Sequence, residues 1–397
     1  MAGKAGAIFG GGGIPVGAIV QGQFASDPNY LPLDGNDYLA SSYPLLDKTN
    51  MKSFGSNLPV QRTLPTTQNW TGVAYGASLF VAVNKDGGTY ATSPDGTTWT
   101  SRSGLLAGGV LGITFLMNLF IAYGYGGALA TSPDGITWTS RATGCTYQFS
   151  GCVSNGSILV AVQDGTEQGS NQISTSPDGM TWTARSITAA AMRARNIAVF
   201  GSEFIILPFS VGGTPAGNFF KSSDGINWYS PYYITQVADV LNQTTLGQPS
   251  VHPAVVQGKI YSFTGTTTSY LTENGGVSWK PTATPYVCIV GGFTYVGGMY
   301  ICPSWNSAHS TILYSPDGKK FSPLNLATSS NWLNPSSAGA PGCLVAYGNN
   351  TFVFISSTIN IAYCASVAVD TTKFKMPFSS PTGFEGTDSG RYYMKVA

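Results

Sequence analysis

A chain of 397 residues with only 9% charged residues and a formal net charge of +1 offers no basic field for nucleic acid or an anionic membrane surface. Fifty glycines, 21 tyrosines and 20 phenylalanines favour strands and turns over helices, so an all-β fold is expected. Cys145, Cys152, Cys288, Cys302, Cys343 and Cys364 contain no CxxC pair, which fits neither a zinc site nor a dense disulfide framework; neither metal nor cofactor is expected.

The chain opens on Lys4 followed by AGAIFGGGG, too rich in glycine for the apolar core of a signal peptide. Gly10 to Gly13 lack a following Gly-Lys-Ser/Thr, so they form a hinge and not a phosphate loop. Next come Pro15, Gly17 and Ile19, then Pro28, Tyr30, Leu31, Asp34 and Gly35, then Tyr43, Pro44 and Leu45. This pattern resembles the tail-collar and short-tail-fibre modules of bacteriophages, in which a Pro-x-Gly-x-Ile strand precedes a Leu-x-x-Asp-Gly hairpin and a Tyr-Pro-x-Leu helix start. Asn-Tyr stands where the family has Gly-Trp, and no LPD-x-R-G segment follows Leu58-Pro59.

From residue 65 a repeat takes over. TSPDGTTWT at 92–100 returns as TSPDGITWT at 131–139 and TSPDGMTWT at 175–183, then more weakly as SSDGINW, TENGGVSW, YSPDGKKF and VDTTKF. The markers Asp95, Asp134, Asp178, Asp224, Asn274, Asp317 and Asp370 recur every 39 to 53 residues, the period of a four-stranded propeller blade. Three apolar strands precede each marker and one follows it, as in GVAYG, LFVAV, TYATS and TTWTSR. The uncharged stretch 111–130 imitates a membrane helix, but the repeat register divides it into strands, with Met117-Asn118 at the hairpin position of Ala77-Ser78.

Ser-Pro-Asp-Gly is turn chemistry: Pro presets φ, Asp accepts from nearby amides, and Gly takes the positive φ. The aromatic that follows (Trp99, Trp138, Trp182, Trp228, Trp279, Phe321, Phe374) is placed to wedge between strands. These residues resemble the Asp-box of sialidases and related repeat proteins, S-x-D-x-G-x-x-W, with the SPDG copies one residue shorter. The resemblance implies a structural turn between strands three and four, remote from any active site. A sialidase-like site would need clustered arginines and acids in the central cavity. The innermost strands carry no acid, and Arg102, Arg141 and Arg185 recur at one place in the repeat. Arg193 and Arg195 have no evident partner set; Asp164, Glu167 and Asp239 are the carboxylates from which a glycosidase pair could be drawn. His252 and His309 stand alone. No enzymatic activity is expected.

The long segments fall on the face opposite the box turns and carry Tyr232, Tyr233, Trp305 and Trp332, aromatics suited to partner or receptor contact. With TKFKM as the last fourth strand, the chain ends would meet the ring on that long-loop face. The closing GRYYMKVA, with Tyr392 and Tyr393, resembles the final strand of phage tail proteins. The sequence thus predicts a seven-bladed propeller of four-stranded blades over 65–380. A collar-like anchoring module would form from residues 1–64 and a C-terminal strand within 381–397. The resemblances imply a non-enzymatic component of a phage tail, baseplate or tail fibre, assembled in the host cytoplasm and resident in the virion as a homo-oligomer. Its partners would be other tail proteins and a host-surface glycan or protein, without nucleic acid or membrane insertion. The alternative is a sialidase-like or carbohydrate-binding propeller.

Overall fold

The computed structural model describes residues 19–21, 30–32, 37–43, 53–54, 56–85, 88–106, 108–164, 172–187, 194, 196–207, 220–229, 254–256, 259–263, 268–272, 280–283, 294–306, 309–315, 322–325, 344–355, 361–375 and 392–395. The first repeat forms the antiparallel order Trp70–Gly76, Leu79–Asn84, Thr89–Ser93 and Thr100–Ser103. Repeats two and three build the same meander from Val110–Leu116 to Thr139–Arg141 and from Phe149–Ser154 to Thr183–Ser186. The stretch that imitates a membrane helix is three of these strands, as its register required. No described helix is long and apolar enough to cross a membrane.

The second strands of the first three blades and the last are buried nearly throughout, with Phe80, Phe120, Leu159 and, in repeat four, Phe204 fully covered between sheets. The hairpins entering these strands use Ala77-Ser78, Met117-Asn118 and Asn349-Asn350, all with positive φ at both positions. That turn matches the right-handed twist of the flanking strands. An aromatic near the end of the first strand then lies across the preceding blade: a Cβ on Gly348 would stand 2.1 Å from the Tyr75 ring. Phe115 covers Gly76 in the same way. The same rings pack on the next aromatic of their own blade, at 4.6 Å for Tyr75 with Phe80, 4.8 Å for Phe115 with Phe120 and 4.5 Å for Tyr347 with Phe352.

The described residues form six four-stranded blades, not the expected seven. Among the described residues repeat four yields a three-stranded sheet, Asn196–Phe200, Glu203–Leu207 and Phe220–Ser222, with a bridge between Lys221 and Tyr229 at its outer edge. Lys221 and Tyr229 exchange both backbone hydrogen bonds, so the next inward-pointing N–H would belong to residue 231. That residue is Pro231, which has no N–H to give. Pro281 and Pro323 sit one position earlier in their fourth strands, where the N–H points away from the sheet, and those strands form.

The last blade departs from expectation as well. Its strands Leu344–Gly348, Thr351–Ile355 and Ile361–Ala368 are completed by Val60–Gln68, from the N-terminal side of the ring. Lys373–Lys375 instead pairs with Asp37–Leu39, placing Phe374 opposite Tyr38. The N-terminal strand is the longer of the two, nine residues against three, and its Arg62 supplies the bond to the third strand that the fourth strands of other blades supply. Both chain ends therefore leave the ring at the box-turn end of the last blade: Val369 N–H donates to Asn350 O, and Asp370 N–H to Ser53 O. The expected exit on the long-loop face is corrected. The two termini pair with each other, with Tyr392–Lys395 lying between Ile19–Gln21 and Tyr30–Pro32 in one antiparallel sheet.

Candidate functional site

The box turns of repeats one to four share one geometry. In repeat two, the buried Ser132 Oγ accepts from Gly135 N–H at 2.8 Å and donates to Asp134 Oδ1 at 2.9 Å. Asp134 Oδ1 then accepts from Ile136 N–H at 2.8 Å and Thr137 N–H at 2.7 Å. Ser93 with Asp95, Ser176 with Asp178, and Ser222 with Asp224 repeat this network. The glycines take φ of 74°, 72°, 75° and 71°, a region costly for any side chain. A Cβ on Gly179 would also stand 2.6 Å from Leu119 of the preceding blade.

These carboxylates are held as anions. Partial burial pushes Asp134 upward, but the backbone and side-chain donors of Thr137, Ile136 and Ser132 outweigh it and bring its pKa down to about 2. Asp95 and Asp224 are lowered by the same balance of burial against turn donors. For Asp178 the amides of Thr181 and Met180 are the leading cause of the lowering. A carboxylate that is ionised and bonded within its own turn is neither a proton donor nor a free base.

The box tryptophans pack among the hydrophobic clusters of the sheets. Trp182 is buried, and its indole N–H donates to Gly179 O at 3.0 Å; Trp228 makes the matching bond to Gly225 O at 3.2 Å. Trp138 stands edge-on to Tyr90 at 6.0 Å, and Trp99 joins the cluster of Phe80, Val353, Ile355 and Cys364 between the first and last blades. Asn274, Trp279, Asp317 and Phe321 lie outside the described residues. In the last repeat Asp370 still caps a turn, through Thr372 N–H at 2.9 Å. Here the wedge is Phe54, fully buried, 5.4 Å from Phe352 and 4.6 Å from Tyr314.

The recurring arginines are likewise internal to the sheets. Arg102, Arg141 and Arg185 Nε donate to Thr92, Thr131 and Thr175 Oγ1 at 3.1, 2.8 and 3.0 Å. Arg62 makes the same bond to Ser366 Oγ at 3.0 Å from the closing strand. The signal was present: Gln61-Arg62-Thr63 matches Ser101-Arg102-Ser103.

Of the aromatics expected to meet a partner, Tyr232, Tyr233 and Trp332 lie outside the described residues. Trp305 is on a strand and not in a loop: Met299–Asn306 and His309–Ser315 form an extended hairpin with Trp305 opposite Ser310. The hairpin is longer than the second and third strands of the other four-stranded blades, except the eight-residue Ile361–Ala368. His309 begins its return strand. Arg193, Arg195, Glu167, Asp239 and His252 lie outside the described residues, while Asp164 is buried at the end of Leu159–Gln163. Among the described residues no group of three or more metal-ligating side chains occurs.

Among the anchoring residues, Leu31 is buried, and Tyr30, Tyr392 and Tyr393 lie on strands of the terminal sheet. Tyr43 follows a 3-10 turn over Ala40–Ser42 and stands edge-on to Tyr38 at 6.2 Å. Pro15, Gly17, Asp34, Gly35 and Pro44 are outside the described residues.

No family model matches the chain, and no curated protein does. Solved structures share its fold. A catalytically inactive virginiamycin B lyase from Staphylococcus aureus with quinupristin superposes with a TM-score of 0.57 at 7% identity, over 79% of this chain and 99% of that one. The WD40 β-propeller domain of Doa1 gives 0.54 at 10% identity, over 83% and 99%. YCF48 bound to a D1 peptide gives 0.53 at 12% identity, over 81% and 98%. At such identities the likeness establishes a β-propeller and nothing finer.

Proposed function

We propose that this chain is a non-enzymatic structural component of a bacteriophage tail, baseplate or tail fibre. The propeller would present binding surfaces, and the paired termini would fix it to neighbouring virion proteins. The observation that carries the reading is the sheet in which Tyr392–Lys395 lies between Ile19–Gln21 and Tyr30–Pro32. An anchoring module interrupted by an inserted ring requires the first and last strands of the chain to meet outside the blades. The resemblance of those same segments to tail-collar modules supplies the class of particle, and that of the Ser-Pro-Asp-Gly turns to the Asp-box supplies the blade type.

The chain ends leave at the box-turn end of the last blade, so the opposite face is the one presented away from the particle. The sequence assigns to that face the long segments with Tyr232, Tyr233 and Trp332, and the described strands around Trp305 run towards it. It is assigned to the host-surface glycan or protein, with a homo-oligomer as the presenting unit. Immunogold labelling of virions tests the placement: gold confined to the tail is expected, and unlabelled tails would sink it. The carbohydrate-active alternative is tested with a panel of sialosides, where turnover lost on mutating Arg193 or Arg195 would reverse the non-enzymatic assignment.

A further inference from the structure

Three successive box turns carry an apolar side chain at their tip. Ile136, Met180 and Ile226 each follow the turn glycine, and they are 44%, 58% and 36% exposed. Their backbone N–H groups are fixed on the box carboxylates, so the turn dictates where each side chain points. Nothing in the turn dictates its type, because Thr97 occupies the same place in repeat one. Tyr229, half exposed at 50%, extends the apolar surface from the turn of repeat four.

The charge beside these tips is negative. Asp134, Asp178 and Asp224 are exposed, and all their hydrogen bonds come from their own turns. Lys221, buried beside Tyr229, is paired with Glu203 at 3.2 Å, and Glu203 Oε1 also accepts from Tyr229. Arg141 and Arg185 stand farther along the outer strands with Nε donated to threonines. The arc therefore alternates carboxylate and apolar side chain, unlike an ordinary solvated rim, where exposed large apolar groups are scattered singly.

We propose that this arc, from repeat two to repeat four on the box-turn face, docks a basic segment bearing apolar side chains on the neighbouring protein that holds the chain ends. The inference rests on the anchoring role given above to the termini. Through the first strands, repeats two to four lie around the ring from the last blade, where the ends leave. A second contact there fixes the tilt of the ring, which one attachment at its edge leaves free. Lysine or arginine meets the exposed carboxylates while apolar groups cover Ile136, Met180 and Ile226.

The test uses the full chain and a fluorescein-labelled peptide of alternating Lys and Leu, with Lys-Ser and Glu-Leu peptides for comparison. Anisotropy should show binding by Lys-Leu above both others, weakened by added salt. The combined variant Ile136→Ser, Met180→Ser, Ile226→Ser should lower that affinity by ~10-fold or more. Tyr147→Ser, which removes an exposed aromatic from the crossing between repeats two and three, should leave it unchanged; thermal melts confirm that each variant folds. Equal binding by the triple variant, no Lys-Leu binding, or equal binding of Glu-Leu overturns the proposal. So does self-association of the unaltered chain that the triple variant abolishes, because a second copy would then cover the arc. Unlabelled virion tails would defeat the anchoring reading without altering the peptide result, so the two failures are separable.

Discussion

The second blade and the last blade reach the same cross-section by different routes. In the second, one continuous segment supplies four strands, the turn and the wedge, with Ser132, Asp134, Gly135 and Trp138 inside seven residues. In the last, the turn comes from Asp370, the wedge from Phe54 and the outer strand from Val60–Gln68. What a propeller repeat must supply is therefore a set of positions: a capped turn, an aromatic between sheets, an outer strand with its arginine. Contiguity in sequence is one way to fill them, and chain ends are another.

The comparison can be broken most severely at the last blade. Deleting residues 1–69 removes its outer strand and wedge together, and the loss of a single cooperative unfolding transition in calorimetry is expected. Phe54→Ala alone should lower stability by about 3–5 kcal/mol in denaturant titration, as large aromatic truncations in cores do. A loss below about 1 kcal/mol would deny Phe54 the role of Trp138. In the contiguous blades the sensitive point is the turn. Gly179→Ala should cost about 1–3 kcal/mol from the positive φ, with Leu119 forced to shift as well.

Ser132→Ala leaves the buried Gly135 N–H without its acceptor, a loss of about 1–3 kcal/mol. Arg62→Ala and Arg102→Ala should match each other at about 0.5–1.5 kcal/mol each; a much larger effect at Arg62 would show that the closing strand depends on it in a way the contiguous strands do not. The smallest effect is the acid dependence. Box carboxylates have pKa values lowered on folding, so their contribution is present above about pH 4 and is lost as pH falls towards about 2, the value for Asp134. Melting temperature should fall through that window, and Asp134→Asn should flatten part of the fall.

The repeat made most of the blades legible from the sequence alone. Met117-Asn118 marked a hairpin because Ala77-Ser78 held the same place, and both turned out to share the positive φ that such a hairpin requires. Where the repeat was least regular, the reading failed for identifiable reasons. Trp228 announced a fourth strand in repeat four, but Pro231 stands two residues after the bridge, where an inward N–H is needed. Phe374 was matched to the other wedges by its spacing from Asp370, although a partner far away in sequence fills that space better. The loop assigned around Trp305 is extended hairpin, because Ile301, Ile312 and Leu313 bury the base of its strands and carry the pairing outward. Ring closure was the least accessible feature: Gln61-Arg62-Thr63 echoes the outer strand without the Ser-Pro-Asp-Gly that flags it elsewhere.

The closing strand enters from the box-turn end and pairs with Ile361–Ala368 through Val60 to Thr63 and again, past an irregularity, at Gln68. Tension on the N-terminal segment, directed away from that face, acts along the axis of Val60–Gln68. The cross-strand bonds lie perpendicular to it and are loaded together in shear, whereas a sideways pull would unzip them one at a time. A ring closed by its N-terminal strand in this way resists traction on that segment best along the strand axis.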